Sequence, residues 1–191
     1  MRLTILDRGH RLGTKALFAL VRLVSRQPVV DAVKLAMYRP EFYGAGQLTH
    51  EAMRGPSAWS IGDRELMAAF VSKINETQFC IAAHSATSGL WYGDHAKVAA
   101  TLADVETAPI DEPLRATLRM LGKLTQEHSV DPDDMCAVLA EGVTPAQIED
   151  ALAVCLAFNI TDRLADAFDF DLASPAAMEA GARYLLKRGY R

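Results

Sequence analysis

Long apolar runs, blocks of basic residues and closely paired cysteines are all missing from this sequence of 191 residues, and each absence excludes a class of protein. The formal net charge of −4, without a basic block, argues against a nucleic-acid partner. The longest apolar stretches, such as residues 151–160, are shorter than the roughly 20 residues that cross a bilayer, so we expect no membrane partner. The first residues lack the apolar run and the cleavage site of a signal peptide. The sequence therefore predicts a cytoplasmic protein.

The sequence contains only three cysteines, Cys80, Cys136 and Cys155, and none of them belongs to a CxxC motif. An odd and sparse set is unlike a disulfide framework, so we expect reduced thiols. Cys80, His84 and Glu65 could in principle hold a metal, but they lack the recognisable ligand spacing of a zinc site. We therefore predict neither a metal nor a cofactor.

Helix signals recur along the chain and strand signals are nearly absent, which predicts an all-α fold. Ser60 with Asp63 at the third position marks one helix start, in the manner of a capping box. Thr144 and Pro145 with Gln147 mark another. One predicted helix begins at residue 60, and two others span residues 144–168 and 174–189. Seven further helices are predicted, with boundary errors of about 2–4 residues, at about 12–25, 29–37, 41–53, 77–90, 94–103, 112–127 and 132–140.

The chain divides provisionally into an N-terminal helical extension, residues 1–55, and a helical core, residues 56–191, without a flexible linker between them. Residues 14–37 are apolar and basic, a pattern that is found in helices lying on a membrane surface. We favour the alternative that they form a helix pair packed on the protein itself or on a neighbouring subunit. The two parts are therefore expected to make one compact unit.

The stretch from Glu65 to His84 contains residues that are typical of thiol chemistry. Cys80 and His84 lie four residues apart, so they share one face of a helix, where the imidazole can take the thiol proton or stabilise the reactive thiolate. Thr77 is a candidate N-cap, which puts Cys80 in the first turn, beside free N–H groups and the positive end of the helix dipole. Both effects predict a pKa for Cys80 below its unperturbed value of about 8.5. The Thr77 hydroxyl, three residues before Cys80, could also hydrogen-bond the sulfur.

Glu65 can join this pair only if the chain reverses direction between them. It precedes Cys80 by 15 residues, or about 22 Å along one continuous helix. Residues 75–77 interrupt the helical pattern, and a break there would make a helical hairpin. Each side chain also has a plain structural explanation, because a lone cysteine or histidine is commonly a core residue and Glu65 could be solvated.

The spacing of these residues resembles that of a known family. Glu65 is followed after twelve residues by Thr77, and then by Cys80 and His84. These are the positions of the Glu, of the two cysteines of a Cys-x-x-Cys motif, and of the following His in the alkylhydroperoxidase D family. The resemblance implies that Cys80 is the nucleophile and that His84 and Glu65 form a proton relay.

Further segments resemble the peroxidase-related branch of that family. They are residues 81–85, Ile-Ala-Ala-His-Ser, and residues 158–166, Phe-Asn-Ile-Thr-Asp-Arg-Leu-Ala-Asp. The resemblance covers roughly residues 30–170. It implies an AhpD-like helical fold with a core hairpin that carries the Cys-x-x-x-His site. It also implies a homo-oligomer, a trimer or hexamer with its sites near the subunit interfaces.

The residue at position 77 changes the chemistry that the resemblance implies. In the peroxidases of the family the second cysteine attacks the peroxide, and the first resolves the resulting sulfenic acid as a disulfide. Thr77 stands in place of the first cysteine, so this disulfide cannot form. The implied function is a single-cysteine peroxidase for organic hydroperoxides or hydrogen peroxide. An external thiol is the expected reductant, because Cys136 and Cys155 occupy apolar helical positions and are interpreted as structural.

Two other functions stay open. In the carboxymuconolactone decarboxylase branch of the same fold the cysteines are dispensable, so the chain could catalyse lactone decarboxylation or related acid–base chemistry. It could also be a non-catalytic helical oligomer that binds a small molecule or senses oxidation through Cys80.

Overall fold

The computed structural model describes residues 4–38 and 45–190, and within these ranges the chain forms eleven α-helices and no strand. The all-α class predicted from the sequence is confirmed. The helices are α1 (Ile5–Arg8), α2 (Leu12–Ser25), α3 (Asp31–Tyr38), α4 (Ala45–Arg54), α5 (Ile61–Ile74), α6 (Gln78–Tyr92), α7 (His95–Ala103), α8 (Glu112–Glu127), α9 (Pro132–Ala140), α10 (Pro145–Ala167) and α11 (Pro175–Arg188).

The helix starts follow the capping signals of the sequence. The Ser60 side chain accepts from the Asp63 backbone at the start of α5, and Thr144 accepts from Gln147 at the start of α10. In both cases the side chain of the third residue bonds back to the backbone of the cap, which satisfies donors that the first helical turn leaves free. The predicted helix 41–53 corresponds to α4 from residue 45 onward, and residues 41–44 lie outside the described ranges.

α5 and α6 form a helical hairpin. α5 ends at Ile74 and α6 begins at Gln78, with Glu76 in a left-handed conformation (φ 61°) between them. The Thr77 N–H donates to the Ser72 carbonyl at 3.0 Å, which closes the turn. The chain therefore reverses direction at the predicted break, and the two helices run antiparallel.

A close contact holds the far end of this hairpin. The Ser88 hydroxyl of α6 donates to the Gly62 carbonyl of α5 at 3.0 Å. A Cβ atom on Gly62 would lie 2.1 Å from Cδ1 of Trp91, so any larger residue would displace the indole ring. The half-exposed indole of Trp91 thus rests on the start of α5.

α5 is the central helix, because ten of its fourteen residues are buried. It packs against α6, α8 and α10, and Leu66, Leu118 and Phe158 lie fully buried in the main core. α4 packs on α10 and contributes Ala52 and Met53 to the same core, while α11 packs along α6. The division of the chain at residue 55 remains a prediction.

α2 is the most exposed of the longer helices. Its one buried residue is Phe18, whose ring meets that of His10 edge-on at 4.9 Å. By contrast, Leu12, Leu23 and Val24 are 85%, 77% and 76% exposed. Within residues 14–37, the expected packing on the protein itself is therefore limited to Phe18 in α2, whereas α3 buries Asp31, Lys34 and Leu35. In the described part of the chain, no helix combines the length and the apolar character needed to span a membrane.

Candidate functional site

Glu65 and His84 form a buried pair between the two helices of the hairpin. Oε2 of Glu65 lies 2.7 Å from Nδ1 of His84, and Glu65 is completely shielded from solvent. Because an ionised carboxylate only accepts hydrogen bonds, Nδ1 of His84 carries the hydrogen. In the neutral form of this imidazole, the other ring nitrogen, Nε2, is the acceptor. The hairpin thus brings together two of the predicted site residues.

Arg54, at the end of α4, adds a positive charge to this pair. Its Nη2 donates to Oε1 of Glu65 at 2.6 Å and to the Leu185 carbonyl of α11 at 3.2 Å. Burial acts to raise the pKa of Glu65, but the interactions with His84 and Arg54 outweigh it and lower that pKa. Glu65 is therefore an anion at neutral pH.

A third donor to Glu65 comes from Tyr190, just beyond α11. Its hydroxyl lies 2.9 Å from Oε1 and 3.1 Å from Oε2 of Glu65, and 3.3 Å from Nδ1 of His84. Neither Arg54 nor Tyr190 was identified from the sequence, and 125 positions separate Tyr190 from Glu65. The one local signal is Gly189 at the predicted end of the last helix, because a glycine there lets the chain turn inward.

Cys80 lies one helical turn before His84, but in an apolar setting. It is 1% exposed and belongs to a small apolar cluster between α6, α10 and α11. Burial raises the pKa of Cys80 well above its ordinary value, and the neighbouring carboxylate of Asp162 adds to this effect. The predicted lowering of the pKa is therefore wrong, because the loss of water and the negative charge outweigh the helix N-terminus. Among the described residues, no hydrogen bond joins Cys80 to His84.

Asp162 of α10 is the carboxylate that acts most strongly on the pKa of the Cys80 thiol. Its fully buried carboxylate accepts from the Ser72 hydroxyl at 2.8 Å and from the Asn75 amide at 2.9 Å, and the Cys80 thiol is its neighbour. Burial raises the pKa of Asp162, and these hydrogen bonds act in the opposite direction. Asp162 belongs to the segment 158–166 that carries part of the resemblance, but its contact with the thiol was not predicted.

Thr77 occupies the predicted N-cap position of α6 without capping it through its side chain. Its hydroxyl donates instead to Oδ2 of Asp166 at 2.8 Å, which joins the start of α6 to α10. The predicted bond from this hydroxyl to the Cys80 sulfur is therefore wrong. A carboxylate is a much stronger acceptor than a thiol, so the hydroxyl hydrogen goes to Asp166.

The two remaining cysteines differ in their surroundings. Cys155 is buried, and its sulfur lies 3.5 Å from Oγ1 of Thr125 and 3.3 Å from Nδ2 of Asn159, in agreement with a structural role. Cys136 is exposed on α9, so its interpretation as a structural residue is wrong. Within residues 4–38 and 45–190, His, Cys, Asp and Glu side chains form no group of three that could hold a metal ion.

Comparison with known proteins identifies the fold. No protein-family model and no curated protein matches the chain. An uncharacterized peroxidase-related protein from Silicibacter sp. TM1040 is 24% identical, with a TM-score of 0.74 over 86% of this chain and 87% of that one. The alkylhydroperoxidase AhpD core of an uncharacterized peroxidase-related protein from Ralstonia eutropha JMP134 is 20% identical, with a TM-score of 0.74 over 93% of each chain. The chain therefore has the AhpD-like helical fold.

Proposed function

We propose that this chain is a thiol-dependent peroxidase in which Cys80 reduces an organic hydroperoxide or hydrogen peroxide. The observation that carries the proposal is the buried Glu65–His84 pair, which lies one helical turn from Cys80. The shared fold with two proteins that are named as peroxidase-related supports the same chemistry.

The reaction begins from a protonated thiol, because the pKa of Cys80 is raised. Among the described residues the thiol has no hydrogen bond to His84, so this mechanism requires the thiol to turn toward the imidazole before it reacts. Nε2 of His84, whose Nδ1–H is held by Glu65, takes the proton. The sulfur attacks one peroxide oxygen, so that an S–O bond forms and the O–O bond breaks. The proton passes to the leaving alkoxide or hydroxide, which leaves Cys80 as a sulfenic acid and releases an alcohol or water.

We propose that an external thiol reduces the sulfenic acid. Thr77 has no thiol, and Cys155 is held in a buried position by Thr125 and Asn159. An external thiol forms a disulfide with Cys80 and releases water. A second external thiol then frees Cys80 and leaves with the first as a disulfide. This cycle requires a reducing compartment, so we propose a cytoplasmic location.

The test is the steady-state consumption of cumene hydroperoxide with a small thiol, in a Cys136→Ser background because Cys136 is exposed. We expect Cys80→Ser to abolish turnover and Cys155→Ser to retain it. His84→Ala should lower the rate by about 10²–10⁴-fold, the usual contribution of general acid–base catalysis. Turnover that survives Cys80→Ser would contradict the proposal. Oxidation of Cys80 once per chain, without turnover, would instead identify an oxidation sensor.

A second candidate function is acid–base catalysis of the lactone-decarboxylase type. One observation favours it: Glu65, His84 and Arg54 form a polar cluster that is complete without the sulfur of Cys80. On this alternative, Cys80→Ser retains activity toward a carboxylated lactone, whereas His84→Ala loses it.

A further inference from the structure

The backbone after α11 turns inward, so that the side chain of Tyr190 reaches Glu65 and His84. Gly189 has φ 70° and ψ −152°, a backbone conformation that is essentially restricted to glycine. A Cβ atom at this position would also lie 2.9 Å from Cε1 of His50 and 3.1 Å from Cγ of Arg54. Both the conformation and the available space therefore require glycine where the chain turns inward to Tyr190.

Tyr190 is held in place by its backbone and by its ring. Its N–H donates to Nδ1 of His50 at 3.3 Å, and the Arg54 guanidinium lies over its ring, 5.1 Å from the centroid. The ring stacks on the imidazole of His84, with centroids 6.2 Å apart and planes inclined by 19°. Phe158 meets the same imidazole edge-on at 4.4 Å. The imidazole is thus confined between two aromatic rings.

The hydroxyl of Tyr190 is a donor to Glu65. Burial, together with the negative charge of Glu65, raises the pKa of Tyr190 well above its ordinary value, so the hydroxyl stays protonated. Arg54 from α4, His84 from α6 and Tyr190 beyond α11 are the charged or titratable groups that hydrogen-bond to the Glu65 carboxylate. Buried carboxylates are stable as anions when donors of this kind surround them.

We propose that Tyr190 is a positioning residue for the Glu65–His84 pair. Its hydroxyl keeps the Glu65 carboxylate ionised and directed at Nδ1, and its ring fixes the plane of the His84 imidazole. Nε2 of His84 then remains free to accept a proton. The inference rests on the proposed function only for its consequence in peroxide reduction, because the contacts with Glu65 do not depend on a substrate.

The experiment compares Tyr190→Phe, which removes only the hydroxyl, with Tyr184→Phe, a matched change at a residue of α11 that is 56% exposed. Carbon-13 NMR follows the Glu65 carboxyl as the pH is lowered, and Glu65→Gln assigns its signal. We expect the ionisation midpoint of Glu65 to shift to higher pH in Tyr190→Phe, because the carboxylate loses a donor. Tyr184→Phe should leave the midpoint unchanged.

An equal midpoint in Tyr190→Phe and in the wild type would overturn the positioning role, since phenylalanine preserves the packing of the ring. Where the wild type reduces peroxide, the acidic limb of the pH–rate profile of Tyr190→Phe should move with the Glu65 midpoint. A wild type that leaves peroxide untouched would refute the proposed function, and the titration would still decide the role of Tyr190.

Discussion

At Cys80, two effects shift the pKa of the thiol in opposite directions, and the larger of them decides whether the thiol is ionised. A helix N-terminus stabilises a nearby anion by roughly 0.3–1 kcal/mol. Burial of an ionisable group beside a carboxylate costs the charged form several kcal/mol. Cys80 is 1% exposed and its pKa is raised further by the Asp162 carboxylate, so the second effect prevails and the thiol keeps its proton.

This balance predicts how alkylation of Cys80 depends on pH. Because the pKa of Cys80 is raised, labelling by iodoacetamide should become fast only at a pH above about 8.5, where a free thiol ionises. Asp162→Asn removes a negative charge and should move the profile to lower pH. Asp166→Asn should move it less, because the charge of Asp166 is the smaller influence. Mass-spectrometric peptide mapping measures the labelling, and a wild-type profile at or below that of a free thiol would contradict the argument.

The Glu65–His84 pair could be predicted because its requirements are local. The spacing of the residues and the helix break between them bring the two side chains together. The pKa of Cys80 could not be predicted, because its direction depends on carboxylates of α10, 82 and 86 positions further along the chain. The other site residues that the sequence did not reveal also come from distant parts of the chain: Arg54 from α4, Asp162 from α10 and Tyr190 after α11.

Among the helices, the starts were easier to predict than the packing. A capping box lies within one short segment, so Ser60 with Asp63 and Thr144 with Gln147 mark the starts of α5 and α10 without tertiary information. α1 was not predicted, because four residues are too few to show a helical period. Which helix becomes central depends on packing: residues 66–71 of α5 are an unbroken apolar run, and its buried Arg64, Glu65 and Ser72 find hydrogen-bond partners on other elements.

The two serine caps of α5 and α11 should differ in their contribution to stability. Ser60→Ala removes one half of a reciprocal cap and should lower the free energy of unfolding by about 1 kcal/mol. Ser174→Ala removes one longer hydrogen bond, which the Ala177 N–H donates to the Ser174 hydroxyl at 3.3 Å. It should therefore lower the free energy of unfolding by less than Ser60→Ala. Urea denaturation of the two variants measures the difference. If Ser174→Ala lowered the free energy of unfolding as much as Ser60→Ala or more, the geometry of the cap would not determine its contribution to stability.

In the molecule as a whole, charge is unevenly distributed. Residues 1–30 contain six Lys or Arg and one Asp, a net charge of +5, whereas residues 31–191 carry −9. In α2, the basic residues share one face and the exposed leucines lie on another. We propose that α2 packs on a second copy of this chain. The contact would bury the apolar face of α2, and the basic face would be attracted to the acidic remainder of the other copy. This contact would build the homo-oligomer, a trimer or hexamer, that the resemblance implies.

Light scattering after gel filtration should then give a mass well above the 20.8 kDa of one chain. Leu20→Asp combined with Leu23→Asp should reduce the mass to that of one chain, because buried charges without partners are unfavourable. Leu172→Asp, a matched change at a leucine outside α2 that is 61% exposed, should leave the assembly intact. Added salt should weaken it by screening the opposite charges. A wild type that elutes as a single chain would rule out this contact.

The contact between Gly62 and Trp91 makes the fluorescence of Trp91 a reporter of the packing of α5 against α6. The chain contains two tryptophans. Trp59 is buried and donates to the Gln147 carbonyl at 2.8 Å, which shields it from an aqueous quencher such as iodide. Trp91 is 46% exposed, and its indole rests on the first turn of α5. Separation of α5 from α6 would therefore change the fluorescence of Trp91 and leave that of Trp59 as an internal reference.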